Sequence, residues 1–234
     1  MDYCNVIEKI RKSIGIVYMV QGQNKIISKG SGFIFFKKGI LVTCNHVIAK
    51  QDSNVLIQFP DKQELLFQAK VMMRDEEHDL VLLKFDDTTR EPLEIASSDI
   101  IKEGIPVIFA GYPLGLVSLT THQGILSAIL TDATGVTTYL IDGTVNSGNS
   151  GCPLMSEDGK VIGVVNAKRM EHSDLLTKMG EQKIGVISLQ GIDLVELFQA
   201  IISNVQLGIG YAIPCTYIPK PHNVDQDILV GDKK

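Results

Sequence analysis

No apolar run in the 234-residue chain is long enough to cross a bilayer as a helix, which excludes a transmembrane anchor of that kind. Basic residues are not in excess. Lys and Arg number 22 against 27 Asp and Glu, for a formal charge of −5 and a pI near 5.5. That balance excludes a dedicated nucleic-acid-binding face. The short basic clusters at Lys9, Arg11, Lys12 and at Lys37, Lys38 read as solvated surface. No C-x-x-C pair occurs among the cysteines at 4, 44, 152 and 215, which excludes a structural zinc site of the usual spacing. The opening stretch, MDYCNVIEKIRKS, lacks the apolar core of a secretion signal. These features predict a cytoplasmic protein with reduced thiols.

What is present is β structure. Short runs rich in Val, Ile, Phe and Thr lie between Gly, Asp, Asn and Pro at 14–20, 31–36, 40–48, 54–59, 65–73 and 80–85. A polar stretch at 86–104 follows. Further runs lie at 105–113, 120–130, 137–143, 160–167 and 208–214. Two sets of about six strands predict an all-β molecule of two small antiparallel barrels. The expected domains are a helical lead at 1–13, a barrel at 14–90, a linker at 91–104, a second barrel at 105–215 and a polar tail at 216–234. An insertion at 168–207 interrupts the second barrel. Within it, apolar residues at 194, 197, 198, 201, 202 and 205 predict a helix over 192–206.

The segment GNSGCPL (148–154) raises the question of chemistry. An acyl-transfer serine needs a base, a carboxylate that orients the base, and backbone N–H groups for the oxyanion. Gly148 permits backbone angles that aim the amides of 148 and 150 into one concavity. Alone, the tetrapeptide GNSG is a weak signal and more often marks a surface turn. His46 ends one apolar run and Asp79 begins another. Each has a purely structural reading. Together, in the order His46, Asp79, Ser150, they suit a triad in the cleft between two barrels. Cys152 and Cys44 read as small buried core residues. DEEHD (75–79) reads as a solvated loop with Asp79 alone turned inward, so no metal site is expected.

Several segments resemble the trypsin-like peptidase domain of the HtrA/Do-like serine proteases. GSGFIF resembles the family's first core strand, LVTCNHVI its histidine strand and HDLVLLKF its aspartate segment. AGYPLGL with THQGILSA, then IDGTVNSGNSGCPLMSEDGKVIGVV and GIGYAIP, resemble the second barrel from entry to closing strand. The resemblance runs from about residue 5 to 215. It implies a chymotrypsin-like fold, endopeptidase activity and no cofactor. His46 would be the base, Asp79 its orienter and Ser150 the nucleophile. Gly148, Asn149 and Ser150 would form the oxyanion hole. Thr144 and Val145, with the strand residues Val164, Val165, Asn166 and Ala167, would line the primary pocket. With Thr at 144 and no buried carboxylate, that pocket predicts cleavage after small or medium aliphatic residues. The chain departs from the family pattern in Cys152, which replaces a second glycine, in the long connection at 168–207 and in the PDZ domain, which is not expected here. The expected partners are a protein or peptide substrate, and a regulator or second copy docking through 168–207. Neither nucleic acid nor membrane is expected. The competing reading is a catalytically silent binding module acting through the 192–206 helix.

Overall fold

The structure, a computed structural model, describes residues 3–22, 25–48, 54–167, 188–189, 192–193 and 208–220. A short helix α1 (Cys4–Ile10) and a 3-10 turn (Arg11–Ser13) lead into the first strand. Six antiparallel strands then close a barrel: β1 (Ile14–Gln21), β2 (Lys25–Ile34), β3 (Ile40–Cys44), β4 (Asn54–Gln58), β5 (Leu66–Asp75) and β6 (Leu80–Phe85). Their order around the barrel is β1-β2-β3-β6-β5-β4, closed by pairing of β1 with β4.

A second barrel is built from β7 (Pro106–Gly111), β8 (Thr120–Thr131), β9 (Thr137–Asp142), β10 (Pro153–Ser156), β11 (Val161–Asn166) and a later strand, β14 (Ile209–Pro214). Its order is β10-β11-β14-β9-β8-β7, closed by pairing of β10 with β7. Closure removes the unpaired strand edges that an open sheet would leave exposed. The expectation of two six-stranded barrels and a short leading helix is met.

Burial explains the strand compositions. The near-continuous apolar strands β1, β3 and β11 are buried along almost their whole length. They line a barrel interior on one side and are covered on the other. By contrast, β5 mixes Lys70 and Arg74 with Val71 and Met72 because one of its faces meets solvent. Two apolar clusters fill the molecule. The larger joins Phe33, Phe35, Leu41 and Phe59 to Tyr112 and Val164, and so bridges both barrels. The smaller, with Phe109, Leu126, Leu154 and Val165, is the core of the second barrel.

Residues 86–105 connect the barrels and are pinned at both ends. The buried Arg90 guanidinium pairs with Asp87 and Asp61 and lies 3.7 Å from the Phe59 ring centroid. Further on, the Ala96 N–H donates to Val161 O and the Val161 N–H to Glu94 O, so the connector runs beside β11.

Within the long insertion, β12 (Ser188–Leu189) pairs with β13 (Ile192–Asp193). The expected helix at 192–206 therefore does not begin at 192, where the backbone is extended. The rest of that helix, and most of 168–207, lie outside the described residues. Among the described residues, no helix is long and apolar enough to cross a membrane.

Candidate active site

The three expected triad residues come from three separate strand ends. β3 carries apolar residues into the barrel as far as Cys44, and the chain then tightens into a 3-10 turn, Asn45–Ile48, which buries Val47 and Ile48. That turn leaves His46 half-buried at the cleft between the barrels. Asp79 precedes β6 in the left-handed region, at φ 55°. Asp is one of the few non-glycine residues that adopt it. The Asn45 N–H donates to the Asp79 carbonyl at 2.8 Å, and the His46 N–H donates to Asp79 Oδ1 at 2.8 Å. Backbone and carboxylate together lock the two segments.

The side chains form a continuous chain. His46 Nδ1 lies 2.5 Å from Asp79 Oδ2, and His46 Nε2 lies 2.9 Å from Ser150 Oγ. Burial pushes the Asp79 carboxyl up, but it is outweighed. The hydrogen bond and charge of His46, its backbone N–H and the Asn166 amide leave Asp79 below the ordinary carboxylate value. An ionised carboxylate only accepts hydrogen bonds, so Nδ1 carries the ring proton and Nε2 is free to accept. Asn166 Nδ2 donates to the same Asp79 oxygen at 2.9 Å. The Ala167 N–H donates to Ser150 Oγ at 3.2 Å.

Ser150 sits in a turn whose shape two glycines make possible. Gly148 has φ 97°, and a Cβ there would lie 2.4 Å from the Tyr112 carbonyl oxygen. Gly151 has φ 87°, and a Cβ there would lie 2.1 Å from the Ser31 carbonyl oxygen and 2.2 Å from Thr43 Oγ1. No other residue fits either place without rebuilding its neighbours. The first barrel grips this turn. The Ser31 N–H donates to Ser150 O at 2.8 Å, and Ser31 Oγ donates to Gly148 O at 2.7 Å. Ser31 Oγ also accepts the Tyr112 N–H at 3.0 Å. With the Gly148 carbonyl held away by Ser31, the Gly148 and Ser150 N–H groups have no acceptor among the described residues.

Several expectations need correction. Asn149 was expected in the oxyanion hole, but its N–H donates to Asn146 O at 2.9 Å and is committed to the turn. Its buried side-chain amide finds no partner among the described residues. Val164 and Val165, expected to line the primary pocket, are fully buried, one in each apolar cluster. Strand alternation sends both side chains into cores. Val145 packs on the second core, over Gly210 of β14. Thr144 is exposed. Asn166, expected as pocket lining, is turned to Asp79 instead. Of this set only Ala167, one residue past β11, lies beside Ser150 Oγ.

Two thiols lie close to this site. Cys152 is fully buried, and burial raises its thiol far above the ordinary value. It packs as a core residue and is no rival nucleophile. Cys44 is also fully buried, its thiol raised by burial first and then by the charge of Asp79, and it donates to Val165 O at 3.3 Å.

Two closed barrels with a Ser–His–Asp chain between them define a class, the serine peptidases of chymotrypsin-like fold. Within it the family is explicit. The profile of the trypsin-like peptidase domain matches residues 30–164, and the chain belongs to that family. It is of the HtrA/DegP type. A probable periplasmic serine endoprotease DegP-like from Hahella chejuensis is 35% identical over 67% of this chain and 33% of its own length. The protein of the same description from Pseudomonas fluorescens is 38% identical over 61% of this chain and 30% of its own. This chain thus spans about a third of the relatives it matches. Among solved structures, a serine endoprotease from Yersinia pestis superposes with a TM-score of 0.64 at 24% identity, over 92% of this chain and 63% of its own. The HtrA-type protease AlgW with tripeptide gives 0.65 at 24%, over 92% and 60%. At that identity these two speak for the fold.

The expected cytoplasmic location is corrected by the same relatives, whose names place them in the periplasm. The thiols do not report a reducing compartment either: Cys44, Cys152 and Cys215 are shielded by packing whatever the redox state outside, and Cys4 is exposed.

Proposed function

We propose that this chain hydrolyses peptide bonds in proteins or peptides through an acyl-enzyme on Ser150. The observation that carries the reading is the unbroken chain from Asp79 through His46 to Ser150, at 2.5 and 2.9 Å. His46 Nε2 takes the serine proton as Oγ attacks the scissile carbonyl. Asp79, held by the Asn166 amide and the His46 N–H, fixes the ring tautomer and stabilises the imidazolium that forms. The N–H groups of Gly148 and Ser150 receive the developing oxyanion, each worth about 3 kcal/mol in a comparable site. His46 then protonates the leaving amine, and a water repeats the sequence to release the acid.

Cleavage after small or medium aliphatic residues is the proposed preference. The substrate rim proposed for it, Ala167 with its N–H on Ser150 Oγ and the exposed Thr144, offers no charge to a Lys or Arg side chain. The test is hydrolysis of an unfolded protein and of a peptide library. Ser150→Ala should lower kcat by on the order of 10⁶ while leaving the fold intact. Substantial activity in a clean Ser150→Ala preparation, or a preference for Lys or Arg, contradicts the proposal.

A further inference from the structure

We propose that the rear of the Asp79–His46 pair is an inhibitory binding site for a thiophilic divalent cation of the Zn²⁺ or Cd²⁺ kind, with Cys44, His46 and Asp79 as its ligands. The proposal rests on the peptidase reading for its effect on turnover, but not for binding. Among the described residues, these three form the one group of potential ligands whose donor atoms all lie within 4.8 Å of one another. The set joins a thiol, an imidazole and a carboxylate. Zinc takes such a set in tetrahedral sites with water as the fourth ligand, at about 2.0 to 2.3 Å from each atom. With such bonds the ligand atoms of a tetrahedral site lie about 3.5 Å apart, so His46 Nδ1 and Asp79 Oδ2, now 2.5 Å apart, must separate by about an ångström while the Cys44 sulfur draws in. Magnesium and calcium, which demand oxygen, do not fit it.

An entry route exists. A cavity of about 440 Å³ opens on this side of the triad, lined by Asn45, His46, His78, Asp79 and Asn166 among others. The His46 and Asp79 side chains keep 18% and 26% exposure, so an ion reaches these two from solvent. Cys44 is fully buried behind them, outside the cavity lining, and its thiol must leave Val165 O to complete the site. Asp79 now disfavours a thiolate at Cys44. A cation bound between them reverses that field, and binding releases the thiol proton to solvent as the metal–sulfur bond forms.

The consequence for the triad is specific. A metal on Nδ1 displaces the proton from that nitrogen, and the neutral ring then carries its proton on Nε2. Nε2 becomes a donor to Ser150 Oγ and can no longer accept the serine proton. A triad forced into the wrong tautomer loses about 10⁴ in kcat. Ser150, Gly148 and the substrate rim stay untouched, so kcat falls and KM does not rise.

The experiment compares the parent chain, Cys44→Ala and Cys152→Ala, each also carrying Ser150→Ala for binding work. Cd²⁺ is titrated into the Ser150→Ala forms and the ultraviolet thiolate-to-cadmium absorption is followed. Zn²⁺ is titrated into the Ser150 forms during peptide hydrolysis. Saturable cadmium absorption is expected in the parent and in Cys152→Ala, and its loss in Cys44→Ala. Zinc should inhibit kcat strongly in the first two, with inhibition weakened at least tenfold in Cys44→Ala. Equal inhibition of parent and Cys44→Ala overturns the site, as does absorption that survives Cys44→Ala. Absorption that depends on Cys44 in a chain without peptidase activity upholds the site and counts against the proposed function instead.

Discussion

At the scale of single residues, geometry around Ser150 is set by atoms that do no chemistry. Gly151 lies with its α-carbon against Ser31 O and Thr43 Oγ1, in a left-handed conformation. Gly151→Ala combines backbone strain with overpacking and should cost roughly 3 kcal/mol of stability, read from a urea melt. A loss below about 1 kcal/mol would show that the turn relaxes more easily than its contacts imply. His46, Asp79 and Ser150 were legible in the sequence because each stands where an apolar run meets a turn, and because their order fits one known arrangement. Asn166 was legible only as a position. Nothing in VVNA says that its amide turns back to Asp79, 87 residues away in the chain. Cys44 read as a small core residue and is fully buried; its place beside His46 and Asp79 is set only by the fold. Asn149 misled, because its N–H closes a turn onto Asn146 that only the three-dimensional path defines.

At the scale of elements, the nucleophile turn belongs to the second barrel but is shaped by β2 of the first. Ser31 Oγ holds the Gly148 carbonyl and accepts the Tyr112 N–H, both in buried surroundings. Ser31→Ala strips both bonds and should destabilise the protein by about 1 to 3 kcal/mol. It should also lower kcat with KM nearly unchanged, because the Gly148 amide loses its aim while the substrate rim stays in place. Steady-state kinetics check this; a raised KM with unaltered kcat would place Ser31 in substrate binding instead. Strands were legible from β-branched and aromatic runs, and their closure into barrels from their number and spacing. The insertion was less so. A 3.6-residue apolar stripe predicted helix from 192, yet Ile192–Asp193 pairs as a strand with Ser188–Leu189. Two-residue strands carry no periodicity to detect, so pairing decides them.

At the scale of the whole molecule, the two barrels share one apolar cluster and are tied by a connector whose charges are buried. Asp87 is the centre of that tie. Burial pushes its carboxyl up, but hydrogen bonds from Thr89 and the charges of Arg90 and Lys62 bring it below the ordinary value. Asp79 is lowered as well. A carboxyl lowered on folding adds stability that is present above its unfolded value of about 3.9 and is lost as pH falls through the folded value. Stability should therefore decline as pH drops below about 4, and Asp87→Asn, though less stable at neutral pH, should decline less steeply there. Urea melts at a series of acid pH values decide this. Parallel curves for parent and variant would show that Asp87 is not lowered on folding.

The central claim is that the cleft between the barrels holds an activated Ser150. Fluorophosphonates react with a serine only where a base and an oxyanion hole act on it together. Intact mass and peptide mapping after treatment should show one adduct, on Ser150, and none in His46→Ala. An unmodified Ser150 in folded protein, or an adduct that persists without His46, would contradict the account.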